Sequence, residues 1–365
     1  MKHSLTLFFC FLLAGLCAQK DAPTTKYLLD ASPFYGSILL HNPDIAQLIT
    51  EHPHGFLLGI SQKRYGEEEW EGIFGYPDTG FSFLYQNMNN PTLGEHFGLY
   101  AHYNFYFFKR NLQLRIGQGV SYNTNPYDAE TNFRNSAYGS TLLSTTLLMA
   151  NYHKEKVFDR FGLQGGITLV HYSNANFKAP NASTNTFAFN LGLTYDLNPS
   201  LDKEYIPYTK TKVTEPLRLN AVLRGGINEG DVVGSGQFGF FILSTYADKR
   251  LGRLSAIQLG ADVFFSYFLK ELIRFQANSF PEMAVDADTD FKRVGLFVGH
   301  ELFINKLSLV SQLGYYVYYP FDFEGRVYQR VGLKRYFGKR AFGSLTLKTH
   351  GAAAEAVEFG IGVRL

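Results

Sequence analysis

Strict alternation of apolar and polar residues recurs along this chain, whereas helical spacing is scarce. From Ile257 to Tyr267 the odd positions are Ile257, Leu259, Ala261, Val263, Phe265 and Tyr267, and the intervening ones include Gln258, Gly260, Asp262 and Ser266. Phe187 to Asp196, Leu217 to Arg224 and Val357 to Leu365 repeat the same two-residue period. Successive side chains of a strand point to opposite faces, so each such segment has one apolar face and one polar or glycine face. The pattern predicts strands over 54–64, 78–86, 96–108, 112–122, 138–152, 158–173, 185–197, 217–226, 236–248, 254–268, 291–304, 307–319, 326–337, 341–350 and 355–365. One short amphipathic piece with helical spacing runs from Pro43 to Thr50. The connections Asn123–Ala137, Asn198–Pro216 and Gln276–Asp290 are long and polar, and outward-facing chemistry is expected on such loops.

Strands of this length suit either a soluble sandwich or a tilted membrane crossing. Three features favour an antiparallel transmembrane β-barrel. Aromatic residues cluster near strand ends, as in Tyr315, Tyr316, Tyr318, Tyr319 and in Phe105, Tyr106, Phe107, Phe108, which reads as interfacial girdles. Polar faces carry Arg218, Arg224, Asp262 and Arg364, which an interior tolerates and lipid does not. The sequence also ends in an alternating strand, like the insertion signal of outer-membrane barrels, although its last residue is Leu365 rather than an aromatic. The fold class is therefore all-β. Single-chain bacterial barrels close with an even strand number, so about 14 strands in one barrel are expected, with about 12 to 16 as the range.

Composition fits that picture. The 365 residues are 45% hydrophobic and 16% aromatic but only 18% charged, below the usual quarter of a soluble domain. So much apolar surface excludes a disordered chain. A net charge of +2 points to no polyanion, and no nucleic-acid partner is expected. Cys10 and Cys17 exclude a disulfide scaffold, and both lie in a basic start, an apolar run Leu5–Leu16 and a small-residue end. That is the pattern of a secretory signal peptide over residues 1–18. Leu16 before Cys17 argues against a lipoprotein signal. Residues 19–365 are then expected to form a single barrel in the bacterial outer membrane.

The most informative stretch is His171-Tyr172-Ser173-Asn174, followed by Lys178 and by Pro180-Asn181. It ends a strand whose odd face carries Leu163, Gly165, Ile167 and Leu169, so His171 and Ser173 continue the apolar, lipid-facing side. Residues two apart on one face lie roughly 7 Å apart. A serine needs an adjacent base to become a nucleophile, and histidine is the usual one. Spacing alone leaves both a catalytic pair and an ordinary interfacial pair open.

The same residues resemble the signature of lipid A 3-O-deacylases of the PagL type. The stretch from about His54 to Asp196 resembles longer acyloxyacyl hydrolase relatives of Bacteroidetes-like bacteria. Supporting pieces are Trp70 with Pro77-Asp78-x-Gly80, Gly117-x-Gly119-Val120-Ser121-Tyr122, Asn132 and Asn135 before Gly139-Ser140, and Leu347-Lys348-Thr349-His350. The resemblance implies an outer-membrane serine esterase acting on lipid A of lipopolysaccharide, without cofactor or metal. Ser173 would be the nucleophile and His171 the base, while Asn174 and Asn181 match family asparagines, the latter at the oxyanion. Backbone amides near Ala175 and Asn176 would also donate. Lys178 is a candidate contact for a lipid phosphate, with an interfacial anchor as the other reading.

One position departs from that family. Its histidine-orienting glutamate, fourteen residues after the histidine, is Asn185 here. Three outcomes stay open: Asn185 serves, a carboxylate arrives from another strand, or the barrel is inactive. Residues 54–197 form the deacylase-like region, and 198–365 are expected to add strands to the same barrel. A channel with Arg218, Arg224 and Asp262 in its lumen is the competing function. Asp286-x-Asp288-x-Asp290 lacks the glycine and glutamate of a calcium loop, and Glu51-His52-Pro53-His54 has no further ligand in motif spacing.

Overall fold

In a computed structural model, residues 25–365 are described apart from 202, 210–212, 231 and 352. The signal sequence expected over 1–18 lies outside the described residues. Sixteen strands alternate with turns and loops. The first eight are Tyr27–Leu39 (β1), His54–Gln62 (β2), Asp78–Asn87 (β3), Glu95–Phe107 (β4), Leu112–Asn123 (β5), Leu142–Phe158 (β6), Phe161–Ser173 (β7) and Thr184–Asp196 (β8). The second eight are Arg218–Glu229 (β9), Gln237–Arg250 (β10), Ser255–Ser266 (β11), Lys292–Ile304 (β12), Leu307–Tyr318 (β13), Val327–Phe337 (β14), Ala341–His350 (β15) and Ala353–Arg364 (β16).

These strands do not form one ring. β1 to β8 close into one antiparallel barrel and β9 to β16 into another. The expected single barrel of about 14 strands is thus corrected to two barrels of eight, and residues 198–365 build their own ring instead of enlarging the first. Every strand expected from the alternation exists, and the missing one is β1. Its edge pairs with β8 from Leu28↔Asp196 to Leu39↔Asn185, so closure depends on it. The ladder skips Ser32 and Pro33, as a proline without an N–H requires. The segment still alternates, with Leu28, Asp30, Ser32 and Phe34 buried and Tyr27, Leu29, Ala31 and Tyr35 exposed.

Strand ends orient both barrels alike. Tyr27, Asp196, Arg218 and Arg364 lie at one end together with the short turns at 108–111, 159–160 and 305–306. The loops 124–141, 174–183 and 267–291 lie at the other. Outer-membrane barrels keep short turns in the periplasm and long loops outside, so the loop end faces the exterior. Residues 63–77, with the short helix Glu69–Ile73, and the connection 197–217 are longer exceptions at the turn end, so Asn198–Pro216 does not face outward as expected. Pro43–Leu48 forms a single 3-10 segment where the short amphipathic piece was expected. The alternation Ile257–Tyr267 overshoots, because Tyr267 already begins a helix, Tyr267–Ser279, that buries Phe268, Leu269 and Ile273 beside Phe321 over the second barrel.

The outer walls are apolar: Phe81, Leu191 and Ile361 are about two-thirds exposed or more. Lipid is the solvent in which such a surface is stable. The interiors are polar and filled, as eight strands leave room only for side chains. In the first barrel Arg115 makes a fork to Asp30 at 3.0 and 2.7 Å and donates to Asn104 at 2.7 Å. In the second, Arg330 bridges Asp262 at 2.9 Å and Glu358 at 2.6 Å. Arg224 and Asp262, the expected channel lining, are buried in that network, whereas Arg218 is exposed at the turn end. Arg115→Ala strands the buried Asp30 carboxylate without its partner, at a cost of about 3–5 kcal/mol. A correspondingly lower melting temperature of the detergent-solubilised protein is expected, and an unchanged one would show that the pair adds nothing.

Candidate active site

β7 carries the site to the loop end of the first barrel. Its alternation puts Leu163, Ile167, His171 and Ser173 on the outer face, although Ser173 itself is buried at 7% exposure, with Tyr172 wholly buried inside. The neighbouring strand places Thr146 opposite His171 and Ser144 opposite Ser173. Gln118 on β5 joins them, donating to Ser144 Oγ at 3.0 Å and accepting from Thr146 Oγ1 at 2.7 Å. A polar patch therefore interrupts the apolar wall where strands give way to loops. These three residues were not legible as site residues, because each is an ordinary polar member of its own strand.

Asn185 lies directly across the β7–β8 ladder from His171, and its Oδ1 is 2.8 Å from His171 Nδ1. An amide oxygen only accepts, so Nδ1 carries the hydrogen and Nε2 keeps a lone pair. Among the described residues no carboxylate bonds this ring.

Ser173 is held differently. Its hydroxyl donates to Asn181 Oδ1 at 3.0 Å and accepts from the backbone N–H of Ala175 at 2.9 Å. Asn181 Oδ1 also accepts the N–H of Asn174 at 2.9 Å. Asn174 in turn donates its amide to the Lys178 carbonyl, while its own Oδ1 is buried without a partner. Ala175 and Asn176 both adopt left-handed backbone, with φ of 52° and 63°. Of the amides in this turn, the Ala175 N–H reaches Ser173 Oγ and the Asn174 N–H reaches Asn181 Oδ1. The structure thus joins His171 to Asn185, and Ser173 to Asn174 and Asn181. His171 and Ser173 share a wall without a hydrogen bond between them, and free enzymes often leave that bond unmade.

Lys178 is exposed and near Asp128. The N–H and hydroxyl of Thr131 and the N–H of Glu130 hold the Asp128 carboxyl below the usual carboxylate range, and Lys178 adds to the effect.

The loop from Asn174 to Ser183 is gripped from two sides. Gly139 donates its N–H to the Pro180 carbonyl at 2.6 Å, and Ala182 and Ser183 donate to Ser136 and Ala137. A Cβ on Gly139 would sit 2.3 Å from the Lys178 carbonyl oxygen, so glycine is required for this approach. Asn135 shapes the gripping segment by accepting the N–H groups of Ala137 and Tyr138 and donating to the carbonyls of Thr92 and Asn125. From the other side, Glu229 of the second barrel accepts the Ala179 N–H at 2.9 Å. Nothing in the sequence marks Glu229, which lies past the end of the strand expected over 217–226.

The weaker candidates do not assemble. His52 bonds Ser37 and His54 contacts Asn89, and Asp286 and Asp290 cap their own turns. Glu324, His350 and Glu355 converge at the loop end of the second barrel. Glu355 there is already neutralised by Arg293 and Lys348, each at 2.6 Å, and those cations oppose a metal ion.

Comparison with known proteins adds the family. Residues 54–194 match the family described as lipid A 3-O-deacylase (PagL), and residues 217–365 match the one described as acyloxyacyl hydrolase, C-terminal domain. The two matches fall one on each barrel. No curated protein matches the chain. Among solved structures it is similar to the outer membrane protein Omp33 of Acinetobacter baumannii, at 9% identity over 93% of this chain and 97% of that one, with a TM-score of 0.18. It is also similar to OccK11 (OpdR) of Pseudomonas aeruginosa, at 11% identity over 93% and 94%, with a TM-score of 0.23. Likenesses so distant carry no weight for the site.

Proposed function

The chain belongs to the lipid A 3-O-deacylase family, an outer-membrane esterase acting on lipid A, and on that premise we propose that Ser173, His171 and Asn185 carry its chemistry. The observation that supports this most is the His171–Asn185 bond, which leaves Nε2 as a free base on the wall that Ser173 shares. The Ser173 hydroxyl swings from Asn181 to His171 Nε2 and attacks the ester carbonyl. His171 takes the proton and then delivers it to the departing sugar oxygen. The tetrahedral oxyanion is met by N–H groups of the 174–176 turn and, once Asn181 turns its NH2 group inward in place of the Oδ1 that faces Ser173, by that amide. A water molecule, deprotonated by His171, then frees the fatty acid from Ser173. The acyl chain proposed as the target is the hydroxyacyl group on the 3-hydroxyl, the position in the matching family's description.

Placement on the outer wall suits a substrate that never leaves the membrane. Lipid A reaches Ser173 laterally, with its ester at the boundary where Gln118, Ser144 and Thr146 replace apolar side chains. Lys178 is proposed to meet a lipid phosphate, and residues 1–18 to act as the cleaved export signal. The filled interiors favour this reading over a channel.

Mass spectrometry of lipid A from a test bacterium expressing the full chain checks the proposal. Loss of one hydroxyacyl chain relative to cells without the protein is expected. Identical lipid A with the protein folded in the outer membrane would overturn it.

A further inference from the structure

The second barrel contributes a residue to the first barrel's active site. Glu229 ends β9, is 4% exposed, and divides its carboxylate between the two barrels. Oε2 accepts the N–H of Ala179 at 2.9 Å. Oε1 accepts the N–H groups of Gly234 at 3.0 Å and Gly236 at 3.3 Å. Its own backbone N–H donates to the Asn176 carbonyl at 3.0 Å. Gln237, the first residue of β10, donates to the Phe177 carbonyl at 2.7 Å. Three successive parts of the 174–181 turn are thus tied to the β9–β10 corner.

We infer that Glu229 is a positioning residue for the deacylase site, and that the second barrel serves the reaction by holding the turn that carries Asn174, Asn176 and Asn181. This rests on the serine-esterase reading above. The turn has left-handed residues at its start and meets Ser173 through two single hydrogen bonds, one donated by the Ala175 N–H and one accepted by Asn181 Oδ1. Ala179 stands two residues before Asn181, and the Lys178 carbonyl holds the Asn174 side chain. A shift at Ala179 therefore propagates to both asparagines. A carboxylate accepting backbone N–H groups makes strong, charge-assisted bonds, which suits a clamp. Misplacing a reacting group by about 1 Å costs on the order of 100-fold in rate.

The barrels also touch at the turn end, where Asn305 donates to Glu68 and Arg253 pairs with Glu69. Docking and positioning can therefore be separated. The full chain is purified in detergent, and two quantities are measured: lipid A deacylation and the rate of covalent labelling of Ser173 by a fluorophosphonate. Glu229→Ala is expected to lower kcat and the labelling rate about 10- to 100-fold, with KM changed less than about threefold. Glu229→Gln keeps shape and one acceptor oxygen but turns an NH2 group toward an N–H donor, so an intermediate loss is expected. Asn305→Ala is expected to leave both rates unchanged.

If Glu229→Ala and Glu229→Gln both label and turn over at the wild-type rate, the inference is wrong. If Asn305→Ala falls as far as Glu229→Ala, barrel docking in general is responsible and the specific role is overturned. A wild-type protein that neither deacylates lipid A nor labels at Ser173 would sink the esterase reading instead, so the two failures are distinguishable.

Discussion

Ser173→Ala lowers lipid A deacylation by roughly 10⁵- to 10⁶-fold, to the level that binding and the oxyanion donors alone supply. Ser173 is the proposed nucleophile, and the Thr146 hydroxyl opposite His171 is already donated to Gln118. Ser144 lies across the ladder from Ser173, but its hydroxyl accepts from Gln118 and has no histidine opposite. His171→Ala should cost nearly as much, because an unassisted serine hydroxyl is a poor nucleophile at neutral pH. The two losses should not add: the double variant is expected to match the worse single one, as residues acting in one step do. Release of hydroxy fatty acid from purified lipid A measures all three. A Ser173→Ala protein retaining more than about a hundredth of the wild-type rate would be incompatible with covalent catalysis at this residue.

Asn185 has the second-largest expected effect. Asn185→Ala removes the acceptor that holds His171 Nδ1, freeing the ring to rotate and to place its hydrogen on the wrong nitrogen. A loss of about 10²- to 10⁴-fold in kcat follows from the cost of disturbing the histidine tautomer in serine hydrolases. Asn185→Glu should leave the rate unchanged or raise it. The register already puts residue 185 opposite the ring, and a carboxylate stabilises the imidazolium better than an amide does. Turnover of both variants tests the role. Complete loss in Asn185→Glu would mean that the amide NH2 serves something other than the histidine.

Part of the proposed site is legible in the sequence. Two-residue alternation placed His171 and Ser173 on the lipid side, and the ladder places Asn185 beside His171, at the position where the family has its glutamate. What alternation could not reveal was the state of the serine. The bond from Ser173 to Asn181 depends on how the 174–183 loop folds back, and loop conformation follows from contacts with 136–139 and Glu229 that are distant in sequence. β1 escaped notice because Pro33, Asp30 and Ser32 dilute its apolar run, although its inward and outward positions obey the same period as every other strand.

The sequence by itself determined that the chain is built of strands, which face of each meets lipid, and which wall carries the histidine and serine. These are local properties, set by the alternation of side chains along an extended backbone. Only the tertiary structure decided that β8 turns back to β1 instead of continuing to β9, so that one expected ring became two. Backbone hydrogen bonding is indifferent to which strand supplies the partner edge, and the choice belongs to register, interior packing and ion pairs such as Asp30–Arg115. The same closure places Glu229 against the catalytic turn. A residue of the second ring thereby bonds the loop that follows Ser173.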